Sequence, residues 1–186
     1  MEEKTPSIHY VCTHEEAVEL IDSHDNFWVS NCGCRESRGE CARSRKDLCL
    51  FFANDWYFGN GGTGADFKEV TRSFVDDILQ EAESKQLVIR PFRNPPLMEK
   101  VVGICFCCDD CCGYFLDPND KCDKGVYIEE TNLDLCDDCG ICVDVCYFKA
   151  RQKDNGQLIL EQDNCYGCGL CMDACPEGGI EMVRRK

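Results

Sequence analysis

Two copies of one cysteine spacing dominate the last third of the chain. Cys136-x2-Cys139-x2-Cys142-x3-Cys146 recurs 29 residues later as Cys165-x2-Cys168-x2-Cys171-x3-Cys175. Self-similarity at a fixed offset means one supersecondary unit used twice. Each copy is framed by short β-type runs: Val126-Tyr127-Ile128 before the first, Leu158-Ile159-Leu160 after an Asp154-Asn155-Gly156 turn between them, and Ile180-Glu181-Met182-Val183 after the second. The pattern predicts a pseudo-symmetric βαββαβ unit over residues 126–186, in which each half has short strands and a helix of one or two turns.

What those thiols do follows from context. The chain has 19 cysteines in 186 residues, an odd number. Met1 to Tyr10 contains two acids and no apolar run, so no signal peptide is expected, and no stretch approaches the roughly 18 apolar residues of a membrane span. A cytoplasmic location is therefore expected, where thiols stay reduced and CxxC spacings read as metal ligands rather than disulfides. The formal net charge of −15 argues against nucleic acid as a partner, because phosphate binding is driven by Lys and Arg. Zinc-ribbon readings lose weight with it.

Four irons at alternate corners of a cubane each take one thiolate. Three cysteines at x2 intervals can wrap three corners from one tight loop, while the fourth, already in a helix, points away towards a second cluster. Over about residues 126–186 this arrangement resembles the bacterial-type two-cluster ferredoxin domain. The resemblance implies one [4Fe-4S] cluster on Cys136, Cys139, Cys142 and Cys175, and another on Cys165, Cys168, Cys171 and Cys146. Gly140, Gly167 and Gly169 would let the backbone approach sulfide, and Pro176 follows the last ligand as the family motif has it. Tyr147 departs from the pattern, standing where the family usually has proline, which would alter hydrogen bonding or solvent access there. Zinc on the same thiols is the competing reading, but zinc sites pair two CxxC units rather than repeat this triple. The resemblance implies a one-electron relay at a potential commonly near about −400 mV. Acidic side chains would steer the protein onto a basic patch of a redox partner, or simply solvate the surface.

Residues 1–125 read as a separate, cysteine-rich α/β domain, giving an α+β chain overall. Thr13 with Glu16 forms a capping box for a short helix bearing Ala17, Val18 and Ile21; Phe27-Trp28-Val29 is a strand. Asp66 with Glu69 is expected to open a longer helix through Phe67, Val70, Phe74, Val75, Ile78, Leu79 and Ala82. Leu87-Val88-Ile89 and Val101-Val102-Gly103-Ile104 are expected to form an antiparallel pair.

This part carries a second cysteine set: Cys32, Cys34, Cys41 and Cys49, then Cys105, Cys107, Cys108, Cys111 and Cys112. If Cys32 and Cys34 lie on a strand, both thiols share a face, as do Cys105 and Cys107. Cys107 and Cys108 cannot both face one site from a strand, but Cys108-Asp109-Asp110-Cys111 could turn around a single metal or a cluster edge. Arg35, Arg38, Arg43, Arg45 and Lys46 lie among the first group and would lower its thiol pKa values or form a solvated loop. One or two further iron-sulfur clusters, a zinc site, or redox-active thiols all fit. The full layout resembles ferredoxin-like proteins of anaerobic bacteria and archaea that have an extra cysteine-rich N-terminal region.

Other signals weigh less. Gly59-Asn60-Gly61-Gly62-Thr63-Gly64 matches G-x-G-x-x-G, but the expected N-cap, Asp66, follows every glycine and would repel a pyrophosphate, so a loop is favoured. His9, His14 and His24 give no catalytic constellation, and a surface or capping role is favoured for His14 over ligation. Cys12 and Cys122 read as packing or spare thiols, and Trp28, Trp56, Tyr57 and Phe58 as core and shielding. The expectation is an electron carrier rather than an enzyme. The alternative is an oxidoreductase that reduces a sulfur or disulfide substrate at the N-terminal cysteines, fed by the ferredoxin module.

Overall fold

The computed structural model describes residues 6–54, 65–94, 98–117 and 119–186. The glycine run 59–64 and Trp56-Tyr57-Phe58 lie outside them. The described chain has the α+β character expected.

It enters through β1 (His9–Tyr10) and α1 (His14–Asp22). Thr13 caps α1 through a complete box: its hydroxyl accepts the Glu16 N–H, and the Glu16 carboxylate accepts the Thr13 N–H at 2.9 Å. Two amides that the first helical turn cannot pair are thereby satisfied. Ala17 and Ile21, one turn apart, are fully buried.

The remaining N-terminal elements are β2 (Phe27–Ser30), α2 (Gly33–Arg38), β3 (Cys49–Phe51), β4 (Lys68–Val70), α3 (Arg72–Ser84), β5 (Val88–Arg93), β6 (Val101–Cys107), α4 (Gly113–Leu116) and β7 (Cys122–Asp123). One seven-stranded sheet takes the strands in the order β4-β2-β3-β6-β5-β1-β7. The expected β5–β6 pair is antiparallel, with Val88 opposite Cys107 and Arg90 opposite Cys105.

Two local expectations are corrected. The long helix starts later than Asp66. Thr71 is its N-cap, accepting the Phe74 N–H, while Asp66 sits at φ 60° and Lys68–Val70 pair with β2. Both caps are locally plausible; the unpaired edge of β2 decides, because a strand there satisfies backbone groups that a helix would leave open. The apolar stripe Val75, Ile78, Leu79 and Ala82 is buried as its period requires. Cys32 and Cys34 are likewise not on a strand: β2 ends at Ser30, Cys32 is the N-cap of α2, and Cys34 lies in its first turn.

The sheet separates two apolar clusters. Ile89, Ile104 and Phe106 pack with Ala17, Ile21, Val75, Ile78 and Leu79 of the two helices. On the other side, Val88 and Cys107 pack with Val145 and Leu170 of the C-terminal repeat. Burying aliphatic side chains this completely contributes about 1.5–3 kcal/mol each.

The repeat comprises β8 (Tyr127–Thr131), α5 (Ile141–Asp144), β9 (Arg151–Asp154), β10 (Gln157–Leu160), α6 (Leu170–Asp173) and β11 (Ile180–Arg184). β8 pairs antiparallel with β11, and β9 with β10 across Asn155-Gly156, both at positive φ as a tight primed turn requires.

Candidate metal centres

Each repeat runs from a short 3-10 turn into its cysteine loop, and a left-handed glycine, Gly140 or Gly169, opens the following helix. One cavity is lined by Cys136, Cys139, Cys142 and Cys175. A second is lined by Cys165, Cys168, Cys171 and Cys146. The fourth cysteine of each copy thus crosses to the other copy's loop, in the grouping that the ferredoxin resemblance implies.

The lining fits an anionic thiolate group. Arg151 is 2% exposed; its Nη1 lies 3.4 Å from Cys142 Sγ, its Nη2 pairs with Glu129 and donates to Thr131 Oγ1, and its Nε has no partner. A buried guanidinium is tolerated only beside compensating negative charge. Gly167 is required for a different reason from sulfide access: at φ 81°, an added Cβ would lie 2.2 Å from the Tyr127 carbonyl oxygen.

Tyr147, at the position where the ferredoxin pattern has proline, packs its ring 5.7 Å from Phe115, with the Arg43 guanidinium 5.4 Å above it and its hydroxyl buried without a partner. It belongs to an aromatic seam. Phe148 stacks on Tyr166 at 4.4 Å and 14°, and Tyr114 and Phe115 close over Phe148. The seam joins the apolar cluster that holds Cys107 and Cys112 to partly buried Cys168 and Cys171.

The upstream cysteines divide into two groups on opposite sides of the sheet. In the first, Arg90 Nη1 donates to Cys112 Sγ at 3.5 Å and lies 3.7 Å from Cys107 Sγ, while the Gly113 N–H donates to Cys34 Sγ. Cys34 also touches Cys32 and Cys112, and those hydrogen bonds draw its thiol far below the usual range. Cys112 is driven far upward by hydrogen bonds to Cys107 and Cys34. Arg90 is 2% exposed, with Nε and Nη2 unpartnered, and its guanidinium lies 4.2 Å over the Tyr114 ring. Beside this group Cys105 faces its register partner Cys49, and His9 Nε2 lies 3.8 Å from Cys105 Sγ. Burial, followed by Arg90, lowers the His9 pKa to about 4.

The second group is tighter. Cys41, Cys108 and Cys111 form a triangle with Sγ separations of 3.6, 3.5 and 3.4 Å. Arg35, 1% exposed, donates from Nη2 to the Phe106 carbonyl at 3.0 Å and lies 3.9 Å from Cys108 Sγ, while its Nε and Nη1 have no partner. Burial raises the Cys41 thiol, but the Ser44 and Arg43 amides, Cys111 and Arg35 together bring it to about 7.

All 17 cysteines singled out by sequence fall in or beside these four places. The basic run splits: Arg35 is buried at thiols, whereas Arg43 pairs with Asp109 and Arg45 with Asp47 at the surface. Cys12 is core, as read. His24 stacks on Phe52, and His14 lines a crevice with Glu83, Asp173 and Cys168. Sequence reasoning missed Arg90, Arg151, His9 and Cys122, whose thiol burial pushes up against the opposing pull of Arg90. The available signal for Arg90 was a charge set between the apolar residues Val88-Ile89 and Pro91-Phe92 of one strand.

A family model described as a 4Fe-4S dicluster domain matches residues 135–180, which hold all eight cysteines of the repeat. No curated protein matches the chain. The family match supports iron-sulfur clusters and an iron-sulfur electron-transfer role. Among the described residues no helix is long and apolar enough to cross a membrane.

Proposed function

We propose that the protein is a low-potential electron carrier, built as a cysteine-rich unit (1–125) and a two-cluster unit (126–186), that relays single electrons to or from a partner redox enzyme. Cys136, Cys139, Cys142 and Cys175 hold one [4Fe-4S] cluster; Cys165, Cys168, Cys171 and Cys146 hold the other. Cys32, Cys34, Cys107 and Cys112 hold a third. The clusters supply the one-electron chemistry. The chain supplies thiolates, the buried Arg90 and Arg151 that offset negative charge, and an apolar surround.

The observation that carries this reading is the shared apolar cluster around Val145 and Leu170, which takes in Cys107 and Cys112 together with Cys168 and Cys171. A thiol group placed for sulfur chemistry alone has no need of that continuity. Acidic side chains on the surface orient the carrier towards a basic partner in a salt-dependent way.

Iron and acid-labile sulfide per anaerobically isolated chain, with paramagnetic resonance of the dithionite-reduced protein, test the reading. About twelve irons are expected from three cubanes. About eight would confine clusters to the repeat, and near-zero iron would end the proposal. Cys136→Ser should lose one cluster signal and leave the Cys34 and Cys112 group intact; loss of both would contradict the division into two units. A second reading, reduction of a sulfur or disulfide substrate at the N-terminal cysteines, is favoured by the cross-strand thiols of Cys49 and Cys105 beside His9. Turnover of a disulfide with an artificial electron donor, abolished by Cys105→Ser, would establish it.

A further inference from the structure

The triangle Cys41–Cys108–Cys111 differs from the other thiol groups in that each of its sulfurs lies close to both of the others. Among the described residues it is the one set of three His, Cys, Asp or Glu side chains whose ligand atoms all lie within 4.8 Å of one another. The eight cysteines of the repeat, spaced to embrace clusters, form no such set. Three thiolates on one tetrahedral ion with metal–sulfur bonds of about 2.3 Å have edges of about 3.8 Å. The edges here are 3.4–3.6 Å.

Arg35 is the independent observation. It is buried against the triangle with two nitrogens unpartnered and one 3.9 Å from Cys108 Sγ. A buried guanidinium needs one negative charge beside it, which an ionised Cys41 supplies when the site is empty. Beside a divalent ion carrying three thiolates, whose net charge is minus one, it is balanced.

We propose that Cys41, Cys108 and Cys111 bind a single thiophilic divalent ion of the zinc class through three thiolates, and that the fourth position is taken by water. Loading forms three metal–sulfur bonds and releases the thiol protons to solvent. Among the described residues no fourth His, Cys, Asp or Glu ligand atom lies within 4.8 Å of all three sulfurs. Three protein ligands and one exchangeable position is the arrangement of a reactive rather than a purely structural zinc site. The site is independent of how many clusters the rest of the chain holds.

The test is zinc K-edge absorption on the anaerobically isolated full chain, loaded with one equivalent of zinc in thiol-free buffer. The expected shell is three sulfurs at about 2.3 Å and one oxygen or nitrogen. Cys111→Ser should lose the bound zinc while its iron, sulfide and paramagnetic signals persist. No retained zinc, a four-sulfur shell, or a shell unchanged in Cys111→Ser would overturn the proposal. Should that variant fail to fold, the wild-type shell alone decides. Iron content and paramagnetic resonance report separately on the electron-carrier reading, so the two can fail independently.

Discussion

Cys107 and Cys108 are consecutive residues whose thiols belong to different groups: Arg90 Nη1 lies 3.7 Å from Cys107 Sγ, and Cys41 Sγ lies 3.6 Å from Cys108 Sγ. Side chains that alternate along a strand leave on opposite faces, and Cys107 is the last residue of β6. The turn that follows repeats the division in reverse, with Cys111 beside Cys41 and Cys112 beside Arg90. One six-residue segment therefore anchors both upstream groups, its inner pair on one side of the sheet and its outer pair on the other.

Arg90 makes the first group sensitive to charge. Arg90→Gln removes a buried positive charge that favours the more negative, reduced form, so the potential of that site should fall. A charge-assisted hydrogen bond of about 1.5–3 kcal/mol corresponds to roughly 60–130 mV for one electron. A redox titration followed by paramagnetic resonance reads the shift; an unchanged or raised potential would remove Arg90 from the site.

Glycines 156 and 167 separate conformational strain from close approach. Both have positive φ, but an added Cβ meets nothing within 4 Å at Gly156 and a carbonyl oxygen at 2.2 Å at Gly167. Gly156→Ala should cost about 1–2 kcal/mol. Gly167→Ala should cost more, because backbone has to move, and should bleach the visible absorption of the repeat. Urea midpoints of the two variants give the comparison, and equal losses would count against the packing argument.

Thr71 and Asp66 offer a direct check on where α3 begins. Thr71→Ala should cost about 1 kcal/mol through loss of the cap. Asp66→Ala loses a side-chain hydrogen bond with Asn31 at the surface and should cost a few tenths. Thermal melts rank the two, and the opposite ranking would restore the earlier helix start.

His9 gives the stability a pH dependence of defined sign. Its folded pKa is lowered from 6.5 to about 4, chiefly by burial, so the neutral ring is favoured in the folded chain. That contribution is complete above about pH 6.5 and fades as pH falls towards 4. The melting temperature of the native protein should therefore drop more between pH 7 and 4.5 than that of His9→Phe, whose ring can keep the contact with Phe92. Parallel curves would mean that His9 titrates normally.

The C-terminal repeat was legible because its ligands are local: three cysteines within seven residues make a loop whatever lies around it, and only the crossed fourth ligand requires the pseudo-symmetry. The capping box of α1 was legible for the same reason. The upstream groups were not. Gly113 and Cys34 meet across 79 residues, and nothing in either segment names the other. The strand expected for Cys32 and Cys34 failed because β2 stops two residues earlier, yet α2 still brings both thiols together. Asp66 and Glu69 imitate a cap as well as Thr71 does locally; the pairing of Lys68–Val70 with β2 is a tertiary choice. Arg90 and Arg151 look like surface charges in sequence, and only their burial beside sulfur gives them a role.

The aromatic seam of Tyr114, Phe115, Phe148 and Tyr166 has a kinetic consequence. Its rings pack into the same apolar cluster as Cys107, Cys112, Cys168 and Cys171. When charge changes beside a polar solvent, the solvent dipoles have to turn, and that turning is a large part of the activation barrier. Rings held by stacking have small dipoles and little freedom to turn. In the proposed carrier the seam would therefore lower the reorganisation energy for charge crossing between the two halves without altering the driving force.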